Sequence, residues 1–161
     1  MRNLVWCLIG LSFLSGSCLK ENNRCTPNET VAPAAEVQTV QDYITNNGIT
    51  ATKHSSGLFY SIANGGEGTG PNVCSTIKVN FTGRLTNGTQ VESDHDILIN
   101  LKFLVAGWQI GMPLIKPGGH IKLYIPPSLG YGAAGKKDNT GNVIVPSNSI
   151  LIYDISLILV E

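Results

Sequence analysis

The residues of this chain that could do chemistry are few and scattered. Its histidines, His54, His95 and His120, stand far apart, and none belongs to the His-Glu-x-x-His spacing that puts two imidazoles on one helix face for zinc. Cys-x-x-Cys and Gly-x-Ser-x-Gly are also missing, so thioredoxin-like redox chemistry and the hydrolase nucleophile elbow lack their spacings. Gly130-Tyr131-Gly132-Ala133-Ala134-Gly135 matches the dinucleotide fingerprint letter for letter, but Lys136-Lys137-Asp138-Asn139-Thr140-Gly141 follows it. That run is turn-forming and does not supply the helix N-terminus a pyrophosphate needs. Asp94-His95-Asp96 reads as a solvated charge run in a loop, where consecutive residues rarely converge on one ion. What remains is aromatic and apolar: Tyr131 in a glycine-rich loop where core packing does not explain a tyrosine, and Trp108 on the face of a short helix. Such groups bind and orient a ligand; they do not attack it.

Lys plus Arg and Asp plus Glu number 11 each, which gives no electrostatic reason to expect nucleic acid. Hydrophobic residues make up 42% of the chain and charged residues 14%, enough apolar material for a core and too little charge for a disordered tail. With 18 Gly and 8 Pro, the composition suits a turn-rich β protein. Val37, Val40 and Ile44 follow helical spacing from Ala34 to Asn47, with Gly48 where a left-handed residue would close the helix. From Leu58 the period becomes two: Leu58 to Ile62, then Ile77, Val79 and Phe81, then Ile121, Leu123 and Ile125, and finally Leu151, Tyr153, Ile155, Leu157 and Leu159 on one face. Asn87-Gly88 signals a hairpin, and Gly107 to Ile115 a helix of about two turns ended by prolines. The expected fold class is α+β: an antiparallel sheet half-wrapped around a short helix, its apolar face meeting Trp108, with an N-terminal helical extension.

The N-terminus orders one positive charge, an apolar run of about eleven residues from Leu4 to Leu14, and the small residues Ser15-Gly16-Ser17 before Cys18, as a secretory signal does. That run is too short to span a membrane. Residues 1–17 are thus expected to be a signal, 18–33 a tether, 34–48 the helical extension and 49–161 one folded domain. Cleavage before Cys18 suits ordinary signal peptidase. Leu14-Ser15-Gly16-Ser17-Cys18 also resembles the lipobox of bacterial lipoproteins, which implies lipidation of Cys18 and anchoring of an exported protein in the cell envelope. With Cys7 removed and Cys18 acylated, Cys25 and Cys74 are left as an even pair that could form a disulfide in an oxidising compartment, whereas Cys18 left free or paired with Cys25 would leave an odd exposed thiol.

Three segments, in order, resemble the FKBP family of peptidyl-prolyl cis/trans isomerases: Val79-Asn80-Phe81-Thr82-Gly83, Leu104-Val105-Ala106-Gly107-Trp108, and Leu129-Gly130-Tyr131-Gly132-Ala133 continuing to Val145-Pro146-Ser147-Asn148-Ser149. The preceding helix, with Ile49-Thr50-Ala51 and Ser56-Gly57-Leu58, is similar to the extension of bacterial lipoprotein members. The resemblance implies an apolar cleft that receives proline, acting on proline-containing polypeptides during folding of exported proteins, with macrolide inhibitors as further ligands and no cofactor. It implies Trp108 as the floor and Tyr131 as a donor to a substrate carbonyl. The backbone amide of Val105 would be a second donor, Val145 and Tyr153 apolar walls, and Leu104 and Ile99 the mouth.

The pattern changes at three positions. Phe81 stands where the family commonly has tyrosine, which removes a hydroxyl, and the family's Phe-Asp pair is Val91-Glu92 here. The smaller wall at Val91 should weaken the grip on proline by about 1–2 kcal/mol. Glu92, the polar partner of the cleft, has one more bond to orient than aspartate. These changes raise an alternative of the same fold: a proline-binding chaperone or scaffold module without turnover.

Overall fold

The computed structural model describes residues 25–161; the signal segment, Cys7 and Cys18 lie outside the described residues. Helix α1 (Ala34–Asn46) buries Val37, Val40 and Ile44, the stripe that the spacing predicts. Gly48, at φ +61°, takes the left-handed conformation just beyond the Asn47 cap and stops it. Strands β1 (Thr52–Lys53), β2 (Phe59–Asn64), β3 (Thr76–Leu85) and β4 (Gln90–Asn100) lead to helix α2 (Ala106–Gly111). After it come β5 (His120–Ile125), β6 (Lys136–Lys137), β7 (Val143–Val145) and β8 (Leu151–Val160). Six of these strands form one antiparallel sheet in the order β1-β2-β5-β8-β3-β4, while β6 and β7 pair as a separate ribbon.

Alternation along the strands fixes the buried face. Ile77, Val79, Ile121, Leu123, Ile125, Leu151, Tyr153, Ile155 and Leu157 are all buried, and α2 packs on this face. It comes closer than an alanine would allow, since a Cβ at Gly107 would sit 2.6 Å from Ile125 and one at Gly111 2.6 Å from Leu123. Glycines four apart thus give the helix a flat side for the sheet. The predicted helix from Gly107 to Ile115 is α-helical only as far as Gly111. Pro113 tightens Met112–Leu114 into a 3-10 turn because its ring is incompatible with the preceding helical turn.

Two other expectations change for reasons of register. Leu159 does not share the buried face of β8: Lys78 pairs with Leu159 but Val79 with Leu157, so Ile158 forms a bulge that turns Leu159 outward and brings Val160 opposite Ile77. Asp94-His95-Asp96 belongs to strand β4, not to a loop. Val79 pairs with Ile97 and Phe81 with Asp94, leaving one extra residue. Asp96 absorbs it at φ +53° while its amide donates to Asn80 Oδ1 at 2.7 Å.

The N-terminal segments are not loose appendages. Cys25 is joined to Cys74 by a disulfide, and the amide of Ala32 donates to the carbonyl of Ser56 at 2.8 Å. Glu36 of α1 accepts a bond from the amide of Ser128 at 2.8 Å, just ahead of the loop that carries Tyr131. Val37, Val40 and Ile44 join the same hydrophobic core as the sheet. The helix read as an extension is therefore part of the folded body.

Candidate functional site

Trp108 projects from α2 into a cavity of roughly 280 Å3, the size of a small side chain and its flanking backbone. Its ring is 3% exposed and is held edge-to-face by two others. The Phe81 centroid lies 5.2 Å away with the planes at 89°, and the Tyr153 centroid 5.2 Å away at 81°. These are the T-shaped arrangements that ring quadrupoles prefer. Phe81 comes from β3 and Tyr153 from β8, with Gly83 directly across from Tyr153. A Cβ at Gly83 would stand 2.7 Å from the Tyr153 ring, which is the packing reason for glycine at the end of Asn80-Phe81-Thr82-Gly83. Ile99, Leu104 and Val105 complete the apolar sides. The amide of Val105, at the N-cap of α2, has no hydrogen-bond partner among the described residues and is free to donate to a ligand carbonyl.

One corner of the cavity is polar. Glu92 reaches in from β4 and accepts from three donors: the Tyr153 hydroxyl, the Tyr131 hydroxyl at 3.3 Å, and Lys136 Nζ at 2.6 Å. Lys136 also stands 5.2 Å from the centre of the Tyr131 ring, within cation–π range. Burial pushes the Tyr153 hydroxyl well above the usual phenol range, and the charge of Glu92 adds to it. Burial alone would lower the Lys136 ammonium; its bonds to Glu92 and Tyr131 outweigh that and hold it above its ordinary value. Both groups therefore keep their protons at neutral pH. The Tyr131 bond is long for O–H···O, so this hydroxyl can turn to a ligand while Glu92 keeps its other two donors.

Most residues singled out from the sequence converge here: Phe81, Glu92, Ile99, Leu104, Val105, Trp108, Tyr131 and Tyr153 all line the cavity. Two do not. Val145 is 1% exposed and packs into the core below the β6/β7 ribbon. Val91 is half-buried against the core but stays outside the lining: Gly83 pairs with Glu92 and Arg84 with Gln90, so Val91 is the extra residue of a bulge while Glu92 reaches the cavity. Val91 thus contributes no wall to this cavity. Glu92 is not loosely held either, since three donors fix it. Tyr153 is more than an apolar wall, because its hydroxyl supplies the polar corner that Phe81 cannot.

Lys136 and Phe103 also line the cavity and were not foreseen. The sequence pattern places Lys136 in a turn, yet it pairs with Val145 in the ribbon, and only that pairing aims it at Glu92. Phe103 is 83% exposed, and a large apolar side chain left in water at a cavity mouth is the signal that marks it. On the opposite face of the sheet, His120 contacts Ser156 at 2.9 Å and Asp154 at 2.8 Å. This resembles a hydrolase triad, but β8 lies between β5 and β3, so the backbone amides beside Ser156 are committed to the sheet and none is left for an oxyanion. No cluster of three His, Cys, Asp or Glu side chains among the described residues is placed to hold a metal ion.

Residues 68–158, more than half of the chain, match the family described as FKBP-type peptidyl-prolyl cis-trans isomerase. The chain belongs to this FKBP family. The FKBP-type isomerase FkpA of Buchnera aphidicola (from Schizaphis graminum) is 46% identical over 112 residues, which covers 66% of this chain and 42% of that protein. The chain thus spans less than half the length of such relatives. The crystal structure of FkpA from Escherichia coli superposes with a TM-score of 0.67 at 30% identity, covering 80% of this chain and 60% of that one. A peptidyl-prolyl isomerase structure from Pseudomonas syringae also superposes at 0.67, covering 82% of this chain and 98% of that one; at 22% identity it speaks to the FKBP fold alone. The FKBP match contains the whole cavity lining, while α1, β1 and β2 precede it.

Proposed function

We propose that the chain is a peptidyl-prolyl cis/trans isomerase assisting the folding of exported proteins. The observation that carries this reading is the cavity itself: a floor and sides of aromatic and aliphatic groups, with hydroxyl and amide donors at its edge, a Glu92 carboxylate held by three donors, and no Ser, Thr or Cys in its lining. The reaction needs no more. Rotation about an X–Pro bond faces a barrier of about 18–20 kcal/mol because resonance gives the C–N bond double-bond character. The twisted amide has lost that resonance and is less dipolar, so an apolar site favours it over the planar ground state. In this reading Trp108 and Phe81 seat the pyrrolidine ring, and the Val105 amide and Tyr131 hydroxyl hold the flanking carbonyls in the twisted geometry. Glu92, fixed by Lys136 and Tyr153, keeps the Tyr131 hydroxyl in place until a substrate claims it.

The reading extends to location. The signal-like N-terminus and Cys18 support an exported, lipid-anchored protein of the bacterial envelope, and the Cys25–Cys74 disulfide is of the kind that persists in an oxidising compartment. Replacing Cys18 with serine would then release the protein from the membrane fraction. The function is tested by cis/trans exchange in a Leu-Pro peptide with the full chain added, with and without a macrolide. Acceleration abolished by macrolide supports isomerisation in this cleft. Binding of the peptide without acceleration would favour the non-catalytic module.

A further inference from the structure

The turn that forms one side of the cleft has little packing to hold it. In the 3-10 turn Leu101–Phe103 only Leu101 is buried; Lys102 and Phe103 are exposed, and Leu104 and Val105 are half-buried. Its position is set by hydrogen bonds, and these lead back to the disulfide from both of its ends. On the Cys74 side, the Cys74 carbonyl accepts from Asn100 Nδ2 at 3.0 Å, and Asn100 Oδ1 accepts from the amide of Lys102 at 3.0 Å. The amide of Leu101 donates to the carbonyl of Ser75 at 3.0 Å. On the Cys25 side, Asn28 Nδ2 donates to Gln109 Oε1 at 2.8 Å. Gln109 Nε2 then donates to the carbonyls of Leu104 at 2.8 Å and Lys102 at 3.1 Å.

Gln109 is the hub. It follows Trp108 on α2, is half-buried, and uses its oxygen and both amide protons. The reverse amide orientation would set its oxygen against two carbonyls and its nitrogen against the amide nitrogen of Asn28, so the network admits one arrangement. We propose that Gln109 and Asn28, fastened by the Cys25–Cys74 disulfide, are positioning residues for the cleft. They hold Phe103, Leu104 and Val105 at the distance from Trp108 that a prolyl ring requires. Residues 25–28, which precede the FKBP match, are on this view part of the support of the binding site. The inference rests on the isomerase reading for its kinetic consequence but not for its structural one.

The test compares the full oxidised chain with Asn28→Ala, Gln109→Glu and the Cys25→Ser/Cys74→Ser variant, reading peptide kinetics and amide hydrogen exchange together. Gln109→Glu keeps the acceptor and the shape but loses both donors to the turn. Loss of these bonds should raise KM about fivefold with kcat little changed, and should speed exchange at the bonded amides of Lys102 and Leu104 by a similar factor; the melting temperature should hold in Asn28→Ala and fall in Gln109→Glu, which sets a carboxylate oxygen against two carbonyls. Because the residues act through one contact, Asn28→Ala combined with Gln109→Glu should add little to Gln109→Glu alone. If Gln109→Glu misfolds, Asn28→Ala gives the same reading from outside the helix. Unchanged exchange at Lys102 and Leu104 in folded Asn28→Ala and Gln109→Glu would overturn the brace. A parent without turnover would overturn the isomerase reading alone, since exchange reads the turn either way.

Discussion

The floor of the cleft and its mouth are built by different physics. Phe81, Trp108 and Tyr153 stand on β3, α2 and β8; Trp108 meets both others edge-to-face, and the three merge with the core of the sheet. The mouth, from Asn100 to Val105, is placed by hydrogen bonds to Cys74, Ser75 and Gln109, and the polar corner by the three donors of Glu92. Close-packed rings cannot shift without opening a void, whereas a hydrogen-bonded turn can open locally at small cost. Changes in the floor should therefore cost folding free energy, and changes in the mouth and corner should alter the handling of substrate in a protein that stays folded.

The largest effect is expected from Trp108→Ala. It removes a nearly buried indole and should cost about 3–5 kcal/mol, read by denaturant unfolding, with loss of peptide binding. Gly83→Ala should come next, because the added Cβ would lie 2.7 Å from the Tyr153 ring in a site with no slack; overpacking of this kind costs roughly 1–3 kcal/mol. Its readout is a lower unfolding midpoint together with weaker binding, since Tyr153 belongs to both floor and corner. A stable Gly83→Ala variant would show the floor to be softer than its packing implies.

In the corner, Lys136→Gln should cost only about 1 kcal/mol of stability but slow turnover by freeing Glu92. Lys136 is held above its usual 10.5, so its contribution is complete below that pH and fades as pH rises through the higher folded value. The corner should therefore be insensitive to Lys136 titration at any pH below 10.5, as a pH series of kcat would show. The smallest effect belongs to Asp138, in the turn of the β6/β7 ribbon. Bonds from the Thr140 hydroxyl and Asn142 lower its pKa to about 2. Its contribution is present above the ordinary carboxylate range and is lost only as pH falls through that value, which a carboxyl NMR titration would detect.

Much of this arrangement could be read from residue order. Period-two runs marked β3, β5 and β8 because one face of each is buried, and the Val37, Val40, Ile44 stripe marked α1 for the same reason; β2 forms where expected but without alternation, since the adjacent Leu58 and Phe59 are both buried and Ile62 is exposed. The cleft residues were legible through the resemblance of three segments in order. Apart from the helix that Pro113 shortens locally, the remaining exceptions share one cause: each depends on what lies across from a residue, which no local pattern records. Bulges at Asp96 and Ile158 exist only as mismatches between paired strands. Lys136 meets Glu92 only through the β6/β7 ribbon, and Gln109 meets Asn28 across 81 residues of sequence. Tyr153 was the nearest miss, since a buried tyrosine must find an acceptor and Glu92 was the acid already assigned to the cleft.

The central claim is that this cleft turns the prolyl bond with Tyr131 as its movable donor. The most direct measurement is the rate of cis/trans exchange in a proline peptide with the full chain beside its Tyr131→Phe variant, which keeps the ring and loses only the hydroxyl. The account predicts clear acceleration by the parent and a loss of about tenfold in kcat/KM for the variant, with stability unchanged. Equal rates for parent and variant would contradict the role of Tyr131, and no acceleration by a folded parent would contradict the isomerase reading as a whole.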